Sequence, residues 1–245
     1  MVSEEPPSSG GVSKGARWGK STLPKGEGNE MEFWRFIFGN DHPVEIEIGP
    51  GTGTFIARAA QAWPLVNFFG LEQSRGRARR LQSAIENRNI RNALVVNADA
   101  ACVLTTMIPA ASVAAYHIYF PDPWWKRRHH RRRLFTPAFA AALGRTLVPG
   151  GRVYIATDVD EVLQLALYAL ESCGTFVCDE HARSPRLGLT AFERKGIARG
   201  AAIQDATFVR NGSSLPHTSS AAPITPAESP SAFRRIGVRS SSLNT

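Results

Sequence analysis

Between residues 44 and 210 short apolar runs alternate with stretches whose apolar positions recur at helical spacing. Val44–Ile48, Val66–Leu71, Ala93–Val96, Ser112–Phe120 and Arg152–Ala156 read as strands, each bounded by turn-forming or charged residues. Thr54–Ala62 reads as a helix stopped before Pro64. Ser74 is placed to cap a helix running to about Asn87, with Leu81, Ala84 and Ile85 on one face. Phe135–Leu147 is helical and closed by Pro149-Gly150-Gly151, and Asp160–Glu171 is a strongly apolar helix. Thr175–Cys178 and Ile203–Val209 supply two last strands. Such alternation predicts an α/β fold, an open and mainly parallel sheet with helices on both faces. Ligands of such sheets bind beyond the carboxyl ends of the strands.

The flanks break the pattern. Residues 1–28 are rich in Gly, Ser, Pro and charge, and 211–245 in Ser, Pro and Ala, so both are expected to be disordered around a domain at 29–210. Charge narrows the partner. The chain carries 29 Lys+Arg against 21 Asp+Glu, a net +8, which suits an acidic partner, nucleic acid before anionic membrane. No apolar run reaches the ~18–20 residues of a membrane span. The start, MVSEEPPSSGG, lacks a basic stretch followed by an apolar one, so no secretory signal is expected. Cys102, Cys173 and Cys178 form no CxxC pair, which argues against zinc. They read as small core residues in a reducing cytoplasm.

The first candidate site is VEIEIGPGTGT, Val44 to Thr54, where a strand enters a turn carrying Gly49, Gly51 and Gly53 before a helix. Glycines allow the turn to be tight and a ligand to approach its backbone. The next strand ends at Glu72, placed for a ribose diol, because a carboxylate accepts both hydroxyl protons. The third strand ends near Asp99, which can accept from an adenine amino group. Glu47 interrupts an apolar strand, so burying it requires a partner. Both a dinucleotide and S-adenosylmethionine fit an acid at this place. The third glycine comes one residue earlier than in the GxGxxG of dinucleotide sites, and the spacing favours S-adenosylmethionine.

The second is YFPDPWWKRRHHRRRLF, Tyr119 to Phe135. Two prolines stiffen the backbone around Asp122 at the tip of the fourth strand. The alternative role for Asp122 is to cap a turn or the following helix. Lys126 to Arg133 then present six Lys or Arg and two His. A solvated face, a nuclear address and a phosphate-gripping loop all match that composition. Its place inside the domain, beside a strand tip, favours the last. Arg75, Arg77, Arg79 and Arg80 form a second basic cluster, readable equally as a solvated face. The third site starts at Asp158, at the fifth strand's tip, which would alternatively cap the following helix. Farther on lies Thr190-Ala191-Phe192-Glu193.

Taken in order, Phe38-Gly39-Asn40, EIGPGTG, GLEQS, NADA, YFPDPWWKRRHHRRRLF, GGRVYIATD and TAFERKG resemble the bacterial single-chain tRNA (guanine-N7-)-methyltransferases over about residues 34–210. The resemblance implies a Rossmann-like class I methyltransferase sheet of seven strands, the last antiparallel, using S-adenosylmethionine. It implies that Glu47, Gly49, Gly51, Gly53, Glu72, Asp99 and Asp122 line the cofactor pocket and that Asp122 is catalytic. It assigns substrate contact to Lys126, Asp158, Thr190, Phe192 and Glu193, and RNA contact to Arg128, His129, His130, Arg131, Arg132 and Arg133. The implied partner is tRNA, in the cytoplasm, with no obligate protein partner. Three positions depart from the family pattern. Ala191 replaces a lysine, Trp125 a smaller or polar residue, and Pro50 a phenylalanine. The rival readings are an RNA-binding protein of the same fold without catalysis, and a methyltransferase with another substrate.

Overall fold

The computed structural model describes residues 30–123, 133–185 and 191–212. Seven strands form one sheet in the order β3-β2-β1-β4-β5-β7-β6. They are β1 (Val44–Ile48), β2 (Asn67–Glu72), β3 (Ala93–Asn97), β4 (Val113–Tyr119), β5 (Leu147–Thr157), β6 (Phe176–Cys178) and β7 (Gln204–Arg210). The pairs from β3 to β5 are parallel, and β7 runs antiparallel to both of its neighbours. The seven helices among the described residues are α1 (Glu30–Phe38), α2 (Thr54–Ala62), α3 (Arg75–Asn87), α4 (Ala100–Thr106), α5 (Pro137–Thr146), α6 (Asp160–Ser172) and α7 (Ala191–Ala198). No described helix is long and apolar enough to cross a membrane.

Every residue of β2 is buried, because helices cover the sheet on both faces. On one face Phe55, Ile56 and Ala59 of α2 and Ala78, Leu81 and Ile85 of α3 pack on Phe68, Val95 and Tyr119. On the other, Trp34 and Ile37 of α1, Phe139 and Leu143 of α5, and Leu163 and Leu170 of α6 pack on Ile46, Phe69, Ile118 and Phe208. Ser74 caps α3, accepting from the Arg77 N–H at 3.5 Å, as its sequence predicts. Thr136 caps α5 in the same way, with Pro137 in the first turn.

Helices α1, α4 and α7 are not among the elements that the pattern predicts. Strand β5 also begins earlier than Arg152. Leu147 pairs with Val113 and Arg152 with Ala115, so Pro149-Gly150-Gly151 forms a bulge within the strand rather than its start. A Cβ at Gly151 would lie 3.0 Å from the Ala114 carbonyl, so this close backbone approach requires glycine. The cysteine reading also needs correction. Cys102 is exposed on α4, and Cys173 and Cys178 are only half-buried. All three are free thiols.

Candidate active site

Strand order reverses at β1: β2 and β3 are added on one side, β4 and β5 on the other. The crevice beyond the β1 and β4 tips is therefore the expected ligand position. Two loops flank it. The glycine turn leaves β1 with Gly49, Gly51 and Gly53 at φ of 71°, 56° and 77°. These are left-handed values that favour glycine. The three differ in what surrounds them. A Cβ at Gly49 would meet nothing within 4 Å, and one at Gly51 only a carbonyl at 3.8 Å. At Gly53 a Cβ would stand 2.0 Å from Leu81 Cδ1. The first two glycines thus leave an open cradle along the turn, and the third seats α2 against α3.

Two carboxylates hold the turn. Gly53 is the N-cap of α2 and has no side chain to cap it. Glu47 takes over that role from β1, its Oε2 accepting the Ile56 N–H at 3.1 Å. Burial pushes the Glu47 carboxyl up to about 8; the bond from Ile56 pulls it down, and the charge of Glu72 raises it further. This supplies the partner that the sequence demanded, and it commits one Glu47 oxygen to the helix start. Glu72, also buried, accepts the Gly51 N–H at 3.1 Å on Oε2 and the Ser74 N–H at 2.7 Å on Oε1. Arg77 adds a 3.1 Å ion pair to Oε1. Asn97 closes the tip by donating to the carbonyls of Glu72 at 3.0 Å and Gln73 at 2.8 Å. Neither Arg77 as the Glu72 counter-ion nor Asn97 as a clamp was foreseen. A basic residue five positions after a strand-tip acid was the only available signal.

Asp99 is exposed just beyond β3 and caps α4, its Oδ1 accepting the Cys102 N–H at 2.9 Å. At the β4 tip, Phe120 takes a left-handed φ of 52°, unusual for an aromatic residue, and its N–H bonds the Ala156 carbonyl at 2.7 Å. The strain turns the chain at the sheet edge and presents Pro121, Asp122 and Pro123, with Asp122 exposed.

The basic run begins after that turn. Trp124, Trp125, Lys126, Arg128, His129, His130, Arg131 and Arg132 lie outside the described residues, as does Thr190. Arg133, the last of the run, pairs with Glu161 in the first turn of α6 at 2.6 Å, with its side chain 17% exposed. Asp158, at the β5 tip, does not cap α6. The N-cap is Val159, without a side-chain bond. Instead Asp158 faces α7: a Cβ at Gly196 would approach its Oδ2 to 3.1 Å, and Arg199 Nη2 lies 3.9 Å from it. Glu193, buried, stands in the first turn of that helix.

A sheet of this order, with a glycine cradle and acids at successive strand tips around the reversal, defines a class I S-adenosylmethionine-dependent methyltransferase. The open faces of Gly49 and Gly51, beside the fixed carboxylate of Glu72, fit that cofactor. Residues 41–206 match the family described as "Putative methyltransferase". The chain is 38% identical over 177 residues to the tRNA (guanine-N(7)-)-methyltransferase of Nitrosomonas europaea, covering 71% of this chain and 79% of that one. It is 35% identical over 177 residues to the protein of that name from Thiobacillus denitrificans, covering 71% and 78% of the two chains. Among solved structures, a 16S rRNA methyltransferase, KamB, superposes with a TM-score of 0.53 at 14% identity, over 74% of this chain and 93% of the other. An aminoglycoside-resistance methyltransferase superposes with a TM-score of 0.52 at 15% identity, over 74% and 93%. These two share the fold. The chain belongs to the tRNA (guanine-N7-)-methyltransferase family.

Proposed function

We propose that this protein transfers a methyl group from S-adenosylmethionine to N7 of a guanine in tRNA, giving 7-methylguanosine. The observation that carries the reading is the strained β4 tip. It presents an exposed Asp122 just beyond β4, and in sequence Lys126–Arg133 follows within a few residues. S-adenosylmethionine supplies an electrophilic methyl on a sulfonium. Guanine N7 has an in-plane lone pair and needs no deprotonation, so the chain need not provide a strong base. The N7–C bond forms as the S–C bond breaks, and the positive charge passes to the purine. Asp122 stabilises that charge and accepts from the N1–H or exocyclic amine. Gly49, Gly51, Glu72 and Asp99 hold the cofactor, and Glu47 sets the turn from beneath. Asp158, Thr190, Phe192 and Glu193 orient the substrate. The protein works in the cytoplasm and needs no obligate protein partner.

The direct test is incubation with labelled methyl donor and bulk tRNA, followed by nucleoside analysis. Label in 7-methylguanosine is the expected result. S-adenosylmethionine binding without label in tRNA would point to another substrate. Absence of binding would point to an RNA-binding protein that has lost catalysis.

The basic run is tested by salt dependence. Arg133 should be left intact, because it is paired with Glu161 and its loss would loosen α6. Replacing Arg128, Arg131 and Arg132 by alanine is expected to weaken tRNA binding. It should also flatten the log–log salt slope by about 0.7–0.9 for each phosphate no longer neutralised. An unchanged slope makes the run a solvated face.

A further inference from the structure

A polar chain with a buried centre and partly exposed ends crosses the sheet face under α2. Glu45 Oε2 on β1 lies 2.7 Å from His117 Nε2 on the neighbouring β4. His117 Nδ1 lies 2.8 Å from the hydroxyl of Tyr119, two residues along the same strand and on the same face. Ser184 Oγ donates to that hydroxyl at 2.8 Å. His117 is fully buried, and both of its ring nitrogens are engaged. Its ring stacks on Tyr154 at 5.2 Å and 18° and packs on Phe55 at 4.5 Å. The imidazole orientation is thus fixed on every side.

The two ends of the chain give it a consequence. Tyr119 immediately precedes the strained Phe120 and the Pro121-Asp122-Pro123 tip. Ser184 belongs to the segment that leaves β6. Asp179 folds this segment, its N–H bonding the Thr207 carbonyl at 2.8 Å and its Oδ1 accepting from His181 at 3.1 Å and Ala182 at 3.0 Å. The segment then leads to the 190–193 box and α7. Between Ala182 and α7, Ser184 supplies a side-chain bond directly to β4. One phenol therefore ties the strand that presents Asp122 to the segment that presents the proposed substrate contacts.

We propose that His117, Tyr119 and Ser184 are positioning residues: a latch that sets the substrate segment against the β4 tip and thereby governs tRNA engagement rather than cofactor binding. This rests on the function proposed above, with residues 190–193 facing the substrate. Tyr119→Phe removes only the bridging hydroxyl and keeps the ring's edge contact with Phe55 at 5.0 Å. Ser184→Ala removes only the outer end of the latch, and Ser184→Thr retains its hydroxyl.

The experiment combines steady-state kinetics with hydrogen exchange of the 179–184 amides. Tyr119→Phe and Ser184→Ala are each expected to raise KM for tRNA about 3- to 10-fold, the scale of one hydrogen bond removed. Turnover at saturation and the calorimetric Kd for S-adenosylmethionine should stay within about twofold of wild type, a change well below that of one such bond. Both variants should speed exchange across 182–184, the double variant should match the singles, and Ser184→Thr should restore wild-type behaviour. Unchanged exchange would overturn the latch. Faster exchange with unchanged KM would overturn its role in tRNA engagement, as would an equal loss in cofactor affinity. Should the wild type fail to methylate tRNA, the functional reading falls while the exchange result still decides the latch.

Discussion

Asp122→Ala is expected to lower turnover by about 10²–10³-fold, the scale of removing one preorganised group that meets charge developing in a transition state. S-adenosylmethionine should still bind measurably, because the cradle of Gly49, Gly51 and Glu72 is held by bonds that do not involve Asp122. Asp122→Asn separates two contributions. Asparagine keeps the size and one acceptor oxygen but has no charge. If the carboxylate acts by countering the growing purine cation, the asparagine variant falls close to the alanine variant. If it acts mainly by accepting a hydrogen bond from the base, asparagine recovers much of the rate. The strained backbone supports preorganisation in either case. Phe120 at φ 52° and the two flanking prolines fix the loop before substrate arrives. Single-turnover rates with saturating tRNA and cofactor, beside calorimetric cofactor affinity, measure both effects. Turnover near wild type for Asp122→Ala removes the residue from catalysis.

The strands were legible because their apolar runs are bounded by turn residues and the central ones are covered on both faces. Helix α4 was not, since AACVLTT is short and lacks a distinct polar face. Its one signal, Asp99 ahead of an alanine pair, was absorbed into the cofactor reading. Asp99 does cap that helix, a local role visible only once the helix is recognised. For Asp158 the local alternative fails: an acid before a helix suggests a cap, but the side chain lies against Gly196 of α7, nearly forty residues on. Likewise the five-residue spacing from Glu72 to Arg77 does not by itself say that Arg77, rather than Arg75, Arg79 or Arg80, answers the acid. Tertiary partners of charged residues are long-range facts, and apolar periodicity carries no record of them. The motif residues Glu47, Glu72 and Asp122 were legible by position, yet what each oxygen bonds was not.

Glu47→Gln is expected to change how stability depends on pH. The folded protein holds a proton on Glu47 up to about pH 8, while the unfolded chain releases it near 4.5. A carboxyl whose folded pKa is raised favours the folded state at low pH. Stability from this group then declines as pH rises from about 4.5 and levels off above about 8, by about 1.4 kcal/mol for each pH unit between. Glutamine has no proton to lose and keeps an oxygen for the Ile56 N–H. The variant should therefore gain on wild type steadily between pH 5 and 8, by on the order of a few kcal/mol in all, and run parallel above that. Urea midpoints of both proteins across this range measure the difference, and parallel curves throughout would show that Glu47 is ionised in the fold. The same proton bears on the cofactor. S-adenosylmethionine carries a net positive charge, and a cation at the turn favours the ionised carboxylate. Wild-type affinity is then expected to rise with pH toward 8, with proton release on binding, whereas the glutamine variant should bind with little pH dependence. The residue that caps α2 thereby also couples the protonation state of the site to the charge of what it holds.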